Sequence, residues 1–207
     1  MPTTIDYYFA PHSPWTCLGH ERFRQIAKQA GAAVRVLPVD LGGKVFPVTG
    51  GLPLAKRAPQ RQAYRLLELK RFSAFLGQPI HVQPKYFPVN PDDAAQLIVA
   101  VDMHDGSDAA MDLSGTILRA VWVEDRNIAD PAELAAMLAQ HGLPARRLDD
   151  AHTQAVHERY EADSQRAVEA GVFGAPSYVI DGEIFWGQDR LDFVQRRLAA
   201  PGAGRTG

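Results

Sequence analysis

The sequence predicts an α/β fold in which a large helical block interrupts a small sheet. A strand–helix–strand pattern comes first, a long run of helical segments follows, and β character returns near the carboxyl end. A strand, a helix and a second strand within about 35 residues form a βαβ unit, with parallel strands and a right-handed crossover. The predicted order is therefore β-α-β, a helical insertion, and then β-β-α.

The first part of the sequence predicts a buried strand that leads into a capped helix. Ile5 to Ala10 is rich in β-branched and aromatic residues, which favours a strand. Ser13 and Pro14 predict a helix start, with the serine as N-cap and the proline at the first helical position. Helical spacing of apolar residues from Trp15 to Ala30 and a strand-like run from Val34 to Val39 complete the unit.

The middle of the sequence predicts a loop and then helices. Gly42 to Pro53 carries several glycines and prolines, which favours a loop. The segments with helical spacing are Lys56 to Leu76, Asp92 to Met103, Ser114 to Val123, Pro131 to His141 and Leu148 to Ala170. We therefore expect an all-helical insertion in this region.

The last part predicts a hairpin and a closing helix. Ser177 to Ile180 and Glu183 to Trp186 have the length and composition of strands. Asp181-Gly182 between them suits a tight turn that needs positive φ angles. Arg190 to Leu198 predicts the final helix.

Composition excludes several classes of protein. The 207 residues carry 22 basic and 24 acidic side chains, a net charge of −2 that argues against a dedicated nucleic-acid binder. One cysteine, Cys17, excludes an intramolecular disulfide and a four-cysteine metal centre. The longest apolar run, Leu97 to Val101, is far below the about 20 residues of a spanning helix, and no signal peptide is visible. We expect a cytoplasmic protein with no metal site and no membrane or nucleic-acid partner.

Two positions could carry chemistry. Ser13 precedes a helix whose unpaired amides and dipole stabilise an anion such as a thiolate, although a serine there is commonly only an N-cap. The Ala175-Pro176 bond precedes a strand and could be cis, although most such bonds are trans. In the cis form the backbone of Ala175 would be free at the sheet edge to pair with a peptide-like ligand.

Two motifs resemble those of the 2-hydroxychromene-2-carboxylate isomerase family, which is related to kappa-class glutathione transferases. They are FAPHSPW at residues 9–15, and GVFGAP at 171–176 followed by DGEIFWGQDRL at 181–191. The resemblance implies a thioredoxin-like, DsbA-type fold. It divides the chain into a thioredoxin-like domain (1–45 and 171–198), a helical insertion domain (46–170) and a flexible tail (199–207).

The resemblance also implies a glutathione-dependent isomerisation. The family converts 2-hydroxychromene-2-carboxylate, a cyclic hemiketal carboxylate, into trans-o-hydroxybenzylidenepyruvate during naphthalene-type aromatic catabolism. A thiolate that adds reversibly to the conjugated system allows the bond rotation, so glutathione acts as a cofactor. Redox relatives carry Cys-x-x-Cys where this sequence has Ser13 and Thr16, which excludes disulfide exchange through that motif. We expect Cys17 to be a buried helix residue.

Site residues follow from the same resemblance. Ser13 would be the catalytic residue that hydrogen-bonds the glutathione sulfur. The expected glutathione-binding residues are Ser13, Ala175, Trp186, Gly187, Gln188 and Asp189. The expected substrate-binding residues are His12, Lys44, Lys56, Tyr86 and Asn90.

Structural roles stay open for several of these residues. Trp186 could be core, Asp189 and Asn90 could cap helices, and His12 could be a partly exposed loop residue. By contrast, the spacing of Arg57, Arg61 and Arg65 predicts a solvated helix face rather than an anion site.

Two other functions remain open at this point. The chain could be a kappa-type transferase that conjugates glutathione to an electrophile, or a non-catalytic glutathione or peptide binder on the same scaffold. The expected partner in the main hypothesis is a small aromatic carboxylate in the 2-oxo or hemiketal form. Relatives are often dimers, so a homodimer is a further expectation.

Overall fold

The computed structural model describes residues 3–200 and contains a four-stranded sheet. Its strands are β1 (Thr4–Phe9), β2 (Ala33–Pro38), β3 (Ser177–Ile180) and β4 (Glu183–Trp186). Their spatial order is β2-β1-β3-β4, with β1 and β2 parallel, β3 antiparallel to β1, and β4 antiparallel to β3. The predicted α/β fold, with both halves on one sheet, is confirmed.

Helices connect and cover the sheet. The crossover from β1 to β2 is α1 (Pro14–Gln29), and the last helix is α9 (Leu191–Ala199). Between β2 and β3 lie α2 (Phe46–Thr49), α3 (Pro59–Leu76), α4 (Asp92–Asp105), α5 (Ser107–Trp122), α6 (Pro131–Gln140), α7 (Arg147–Ala151) and α8 (Gln154–Glu169). The predicted helical insertion is therefore present.

Strand β1 is the centre of the core because both of its faces are buried. Tyr7 and Phe9 belong to the main hydrophobic cluster, whereas Tyr8 belongs to a smaller cluster on the other face. The ring of Tyr7 packs at 4.6 Å from the ring of Phe23 in α1 and at 5.5 Å from that of Tyr178 in β3. The main cluster continues into α4 and α5, so β1 and α1 are held on several sides.

Two predicted elements differ in the structure. The predicted loop 42–53 contains a helical turn, Leu41–Val45, and α2, and a 3₁₀ turn follows at Leu54–Lys56. In the first turn the carboxylate of Asp40 accepts the amide of Gly43 at 2.7 Å, which compensates for the two glycines. The predicted helix from Lys56 begins only at Pro59, because a proline disfavours helical geometry in the residue before it.

Two further boundaries also moved. The predicted helix 148–170 is divided into α7 and α8, because Thr153 is extended, with ψ at 151°. Helix α5 begins at Ser107, seven residues earlier than the predicted start at Ser114. In the hairpin, Asp181 and Gly182 have φ angles of 50° and 84°, which confirms the predicted tight turn.

The carboxyl end of the chain is described as far as residue 200. Ala199 still belongs to α9, and most of the expected flexible tail, 201–207, lies outside the described residues. Among residues 3–200, no helix combines the length and the apolar character needed to cross a membrane.

Candidate functional site

Four chain segments meet at one end of the sheet. Phe9 and Pro38 end two parallel strands side by side, so the segments after β1 and β2 leave the sheet together. Ser177 starts β3 opposite Tyr8 and opposite Trp186, the last residue of β4. The turn before α1, the segment before β3 and the segment after β4 are therefore neighbours, although they are distant in sequence.

Ser13 caps helix α1 at this end of the sheet. Its backbone is extended (φ −82°, ψ 124°), and its Oγ accepts the amide of Thr16 at 3.2 Å, which confirms the predicted N-cap. Pro14 occupies the first turn, and that turn carries no acidic residue. Because Oγ accepts from Thr16, its hydroxyl hydrogen is left to donate to an anion in front of the helix. Ser13 is 9% exposed, so such a bond would be largely shielded from water.

The protein's own thiol is unsuited to react here. Cys17 lies in the first turns of α1 and is half-buried against the main hydrophobic cluster. Burial raises the pKa of the Cys17 thiol to about 12, so it stays protonated at neutral pH. Thr16, at the other motif position, is fully buried. Cys17 is thus a helix residue as expected, although it is half-buried rather than fully buried.

The segment before β3 has the cis peptide that the sequence left open. The Ala175-Pro176 bond is cis, and the Ser177 hydroxyl donates to the carbonyl of Gly174 at 2.8 Å. The amide of Gly187 donates to the carbonyl of Pro176 at 2.9 Å, which ties this segment to the one after β4. A side chain at Gly174 would collide with the Trp186 indole, since a Cβ there would lie 2.4 Å from the indole nitrogen.

The segment after β4 presents both exposed and buried polar groups. Trp186 is 50% exposed and packs edge-on against Phe173, so the alternative of a core residue is wrong. Gln188 is buried, and its side-chain Nε2 has no hydrogen-bond partner among the described residues. The Asp189 carboxylate bonds the Arg190 guanidinium at 2.8 Å and does not cap α9, which contradicts the capping alternative.

The expected substrate residues are dispersed around the helical segment. Lys44 forms a surface ion pair with Glu161 at 2.6 Å, and Lys56 is exposed in the 3₁₀ turn before α3. Tyr86 is 36% exposed. Asn90 accepts the amide of Asp92, the first residue of α4, at 2.9 Å, but the N-cap position itself is Pro91, so Asn90 is not the N-cap. The structure thus gives Lys44 and Asn90 partners within the protein, and their substrate roles stay predictions.

His12 has the most closely packed surroundings of the expected substrate residues. Its ring lies 6.2 Å from the ring of Phe87, and its carbonyl accepts the indole N–H of Trp122 at 3.2 Å. The side-chain Nδ1 is buried with no hydrogen-bond partner among residues 3–200. Burial, with a smaller effect of Arg65, lowers the pKa of His12 to about 4, so the imidazole is neutral at pH 7.

Arg65 is a candidate that the sequence analysis missed. Its guanidinium carbon lies 5.3 Å from the centre of the Phe87 ring and 5.6 Å from that of Trp122. Burial and the nearby Arg57 lower the pKa of Arg65 to about 10. The predicted solvated face is correct for Arg61 alone, because Arg57 and Arg65 are half-buried.

A different spacing in the sequence would have found Arg65. Grouping it with Arg57 and Arg61 placed it on an outer face of α3. The inner face of that helix instead carries Leu69, Phe72 and Leu76, which are buried or packed against the core. With Arg65 at position i, these three residues follow at i+4, i+7 and i+11. Arg65 therefore lies on the same helix face, at a position where the helical pattern predicts an apolar residue.

Comparison with known proteins adds relatives over nearly the whole chain. The chain is similar to a protein from Sphingobium xenophagum named 2-hydroxychromene-2-carboxylate isomerase. The two are 27% identical over 199 residues, which cover 96% of this chain and 99% of that protein. A protein of the same name from Pseudomonas putida is 27% identical over 198 residues, covering 94% of this chain and 93% of the relative.

Solved structures and a family model identify the fold. A solved 2-hydroxychromene-2-carboxylate isomerase superposes with a TM-score of 0.79 at 23% identity, covering 95% of this chain and 94% of that one. The model of the DSBA-like thioredoxin domain matches residues 4–199. The mixed four-stranded sheet with its helical insertion agrees with this match. The chain therefore belongs to the family of DSBA-like thioredoxin domains.

Proposed function

We propose that the chain is a glutathione-dependent isomerase that converts 2-hydroxychromene-2-carboxylate, or a close analogue, into trans-o-hydroxybenzylidenepyruvate. One observation carries the proposal: Ser13 caps α1 at the position where redox relatives carry a cysteine. The chain's single thiol, Cys17, is protonated and lies beyond that position. A thiolate at this helix start must therefore come from another molecule. Similarity to proteins named as this isomerase supports the choice of reaction.

The residues around Ser13 fit glutathione. The backbone of Ala175 lies beside the turn that leads into α1 and could pair with the cysteinyl part of the tripeptide. The exposed carboxylate of Asp189 suits an α-ammonium group. The buried, unpaired amide nitrogen of Gln188 needs an acceptor, which a ligand carbonyl or carboxylate would supply. Trp186 offers an exposed aromatic surface beside them.

The proposed chemistry depends on how Ser13 and the start of α1 stabilise a negatively charged thiolate. Glutathione, when bound, supplies the thiol that serves as a reversible nucleophile. Ser13 donates a hydrogen bond to an anion at the helix start, and the first-turn amides and the helix dipole of α1 act in the same direction. The first turn of α1 carries no carboxylate to oppose them. Together they lower the pKa of a thiol held there, so that more of it is ionised at pH 7.

The stoichiometry of thiol use tests this function. With glutathione at a small fraction of the substrate concentration, we expect complete conversion of 2-hydroxychromene-2-carboxylate and full recovery of free thiol, because the nucleophile is released in each cycle. Product is followed by absorbance and thiol by titration. One thiol lost per molecule converted would contradict the isomerase and establish a conjugating transferase. Turnover in the absence of glutathione would contradict the proposal that glutathione is the cofactor.

The same proposal implies that the protein works in the cytoplasm. Thiols remain reduced in the cytoplasm, which is where a glutathione-dependent enzyme of this kind would work.

A further inference from the structure

A basic cluster lies where the helical segment meets the turn before α1. It consists of Arg65, the neighbouring Arg57 and His12, and we call it the Arg65 cluster. Among residues 3–200, neither arginine forms an ion pair, whereas arginines elsewhere in the molecule, such as Arg147 and Arg159, pair with aspartates. Each of the two arginines is half-buried. Burying cations together without a counterion is unfavourable, and such perturbed groups cluster at functional sites.

Arg65 is held by aromatic surfaces rather than by hydrogen bonds. Its guanidinium lies 5.3 Å from the Phe87 ring centre and 5.6 Å from that of Trp122, and those two rings are 4.8 Å apart. Such contacts orient a guanidinium but leave its donors free. The Arg65 side chain forms no hydrogen bond with another described residue. The N–H donors of its planar guanidinium are therefore available to a ligand with two acceptor oxygens.

The Arg65 cluster is linked to Ser13 through adjacent backbone. Trp122, which contacts Arg65, donates its indole N–H to the carbonyl of His12 at 3.2 Å. His12 immediately precedes Ser13, and its ring faces Phe87, the other ring under Arg65. Arg65 also lies close enough to His12 to lower the pKa of that imidazole. The guanidinium therefore stands beside the start of α1, on the side formed by the helical segment.

We infer that Arg65 binds the carboxylate of the electrophilic substrate and sets the enzyme's preference for planar conjugated acids. This inference rests on the proposed function and names a residue that neither the sequence motifs nor the similarity to relatives assigns. A carboxylate paired with Arg65 would lie next to Phe87, Trp122 and the neutral His12 ring, which suit the flat ring of an aromatic acid. Of the two candidate lysines, Lys44 is paired with Glu161 and Lys56 is exposed in the turn before α3.

Glutathione also has carboxylates and is therefore a second candidate ligand for Arg65. The residues proposed for glutathione come from the segments before β3 and after β4. Arg65, Phe87 and Trp122 come instead from the helical segment between β2 and β3. The two groups approach Ser13 from different parts of the chain. We therefore assign Arg65 to the substrate and leave glutathione to Ala175 and Asp189.

A pair of probes isolates the charge that Arg65 recognises. Chromone-2-carboxylate is a flat bicyclic acid, and chromone-2-carboxamide has nearly the same shape without the charge. Titration calorimetry on the full chain should show the acid binding about 10- to 100-fold more tightly than the amide, as expected for a charged, bidentate hydrogen bond. Wild-type protein that fails to bind the acid, or that binds both equally, would overturn the inference.

Variants then assign the preference to one side chain. Arg65→Gln should bring the acid-to-amide affinity ratio close to one while leaving the affinity for the amide unchanged. Arg61→Gln is the matched control, because it removes the same charge one helical turn away at an exposed position and should keep the ratio. An unchanged ratio in Arg65→Gln, or an equal loss in Arg61→Gln, would contradict the assignment. Arg65→Lys keeps the charge without the fork and should give an intermediate ratio.

Two further measurements separate this inference from misfolding and from the proposed function. Arg65→Gln should melt at the same or a higher temperature, since it removes a half-buried charge without a partner. Glutathione affinity should be unchanged in Arg65→Gln, and a drop there with an intact acid preference would reassign Arg65 to glutathione. An acid preference that depends on Arg65 in a protein that does not bind glutathione would contradict the proposed function and leave the carboxylate site standing.

Discussion

At the scale of single residues, burial determines the protonation state of the titratable groups around α1. Cys17 is held as a thiol, with its pKa raised to about 12 by burial. His12 is held as neutral imidazole, with its pKa lowered to about 4. Within residues 3–200, the groups left to act on an anion at the helix start are neutral donors, such as Ser13, and the guanidinium of Arg65, which is charged at pH 7.

His20, one turn further along α1, has a purely structural network. The Tyr7 hydroxyl donates to its Nδ1 at 3.1 Å, and its Nε2–H donates to the carbonyl of Met111 at 3.0 Å. Both ring nitrogens are thus satisfied in the neutral form, and the ring is 5% exposed. Burial lowers the pKa of His20 to about 4 despite the hydrogen bond to Met111, which acts in the opposite direction.

This network predicts how stability depends on pH. In the unfolded chain a histidine titrates near 6.5. Below that pH the histidine of the unfolded chain binds a proton, whereas native His20 stays neutral because its pKa is about 4. The free energy of unfolding should therefore fall as the pH drops from about 6.5 towards 4, by about 3 kcal/mol from this residue. Urea unfolding at pH 7 and pH 4.5 measures the change.

A variant isolates the contribution of His20 from that of the carboxylates. His20→Gln should be less stable at pH 7 but should lose less stability on acidification, because the proton-linked difference is gone. His152→Gln, at an exposed position, serves as the matched substitution and should show the same pH dependence as the wild type. An equal loss of stability on acidification in His20→Gln and in the wild type would contradict this account.

At the scale of elements, helix α1 is positioned by a close contact with the turn that follows β4. A Cβ at Gly19 would lie 2.7 Å from the Cβ of Gln188 and 3.2 Å from the hydroxyl of Tyr178. The absence of a side chain at Gly19 therefore lets the Gln188–Arg190 turn lie directly on α1. This contact links the Ser13 helix to the segment proposed to hold glutathione.

Gly19→Ala tests that link between elements. Alanine favours a helix by about 1 kcal/mol over glycine, but here the added methyl group must displace Gln188. We expect a net loss of about 1 to 2 kcal/mol in the free energy of unfolding and a weaker glutathione affinity. Gly42→Ala is the control, since its nearest neighbour would be an Asp40 oxygen at 3.9 Å. A Gly19→Ala variant with unchanged stability and affinity would show that the contact is unimportant.

At the scale of the whole molecule, local patterns were enough to predict the architecture. The apolar strands, the Ser13-Pro14 helix start and the Asp181-Gly182 turn are each determined by neighbours in sequence, and each was found as predicted. One error falls where local signals conflict with distant contacts. The glycine-rich segment after β2 is helical because Asp40 and Val45 are held by groups elsewhere, including the Ser164 hydroxyl on the Asp40 amide.

The candidate site was predictable on one side only. Ser13, Ala175 and the segment after β4 belong to continuous motifs, so the sequence could name them, and the register of the sheet brings their segments to one end. Arg65 lies in α3, Phe87 in the loop between α3 and α4, and Trp122 in α5, so they meet only through tertiary packing. The sequence contained one indication of this group, an arginine at position 65 on the apolar face of a predicted helix. We instead grouped Arg65 with Arg57 and Arg61 because of their regular spacing.

The proposed function requires Ser13 and the start of α1 to stabilise a glutathione thiolate. The pKa of the thiol of bound glutathione, titrated by the ultraviolet absorbance of the thiolate, tests it most directly. We predict a value well below that of free glutathione in the wild type, raised by about one unit in Ser13→Ala and restored in Ser13→Thr, which keeps the hydroxyl. A bound thiol that titrates like free glutathione, or a lowered pKa that Ser13→Ala leaves unchanged, would contradict the account.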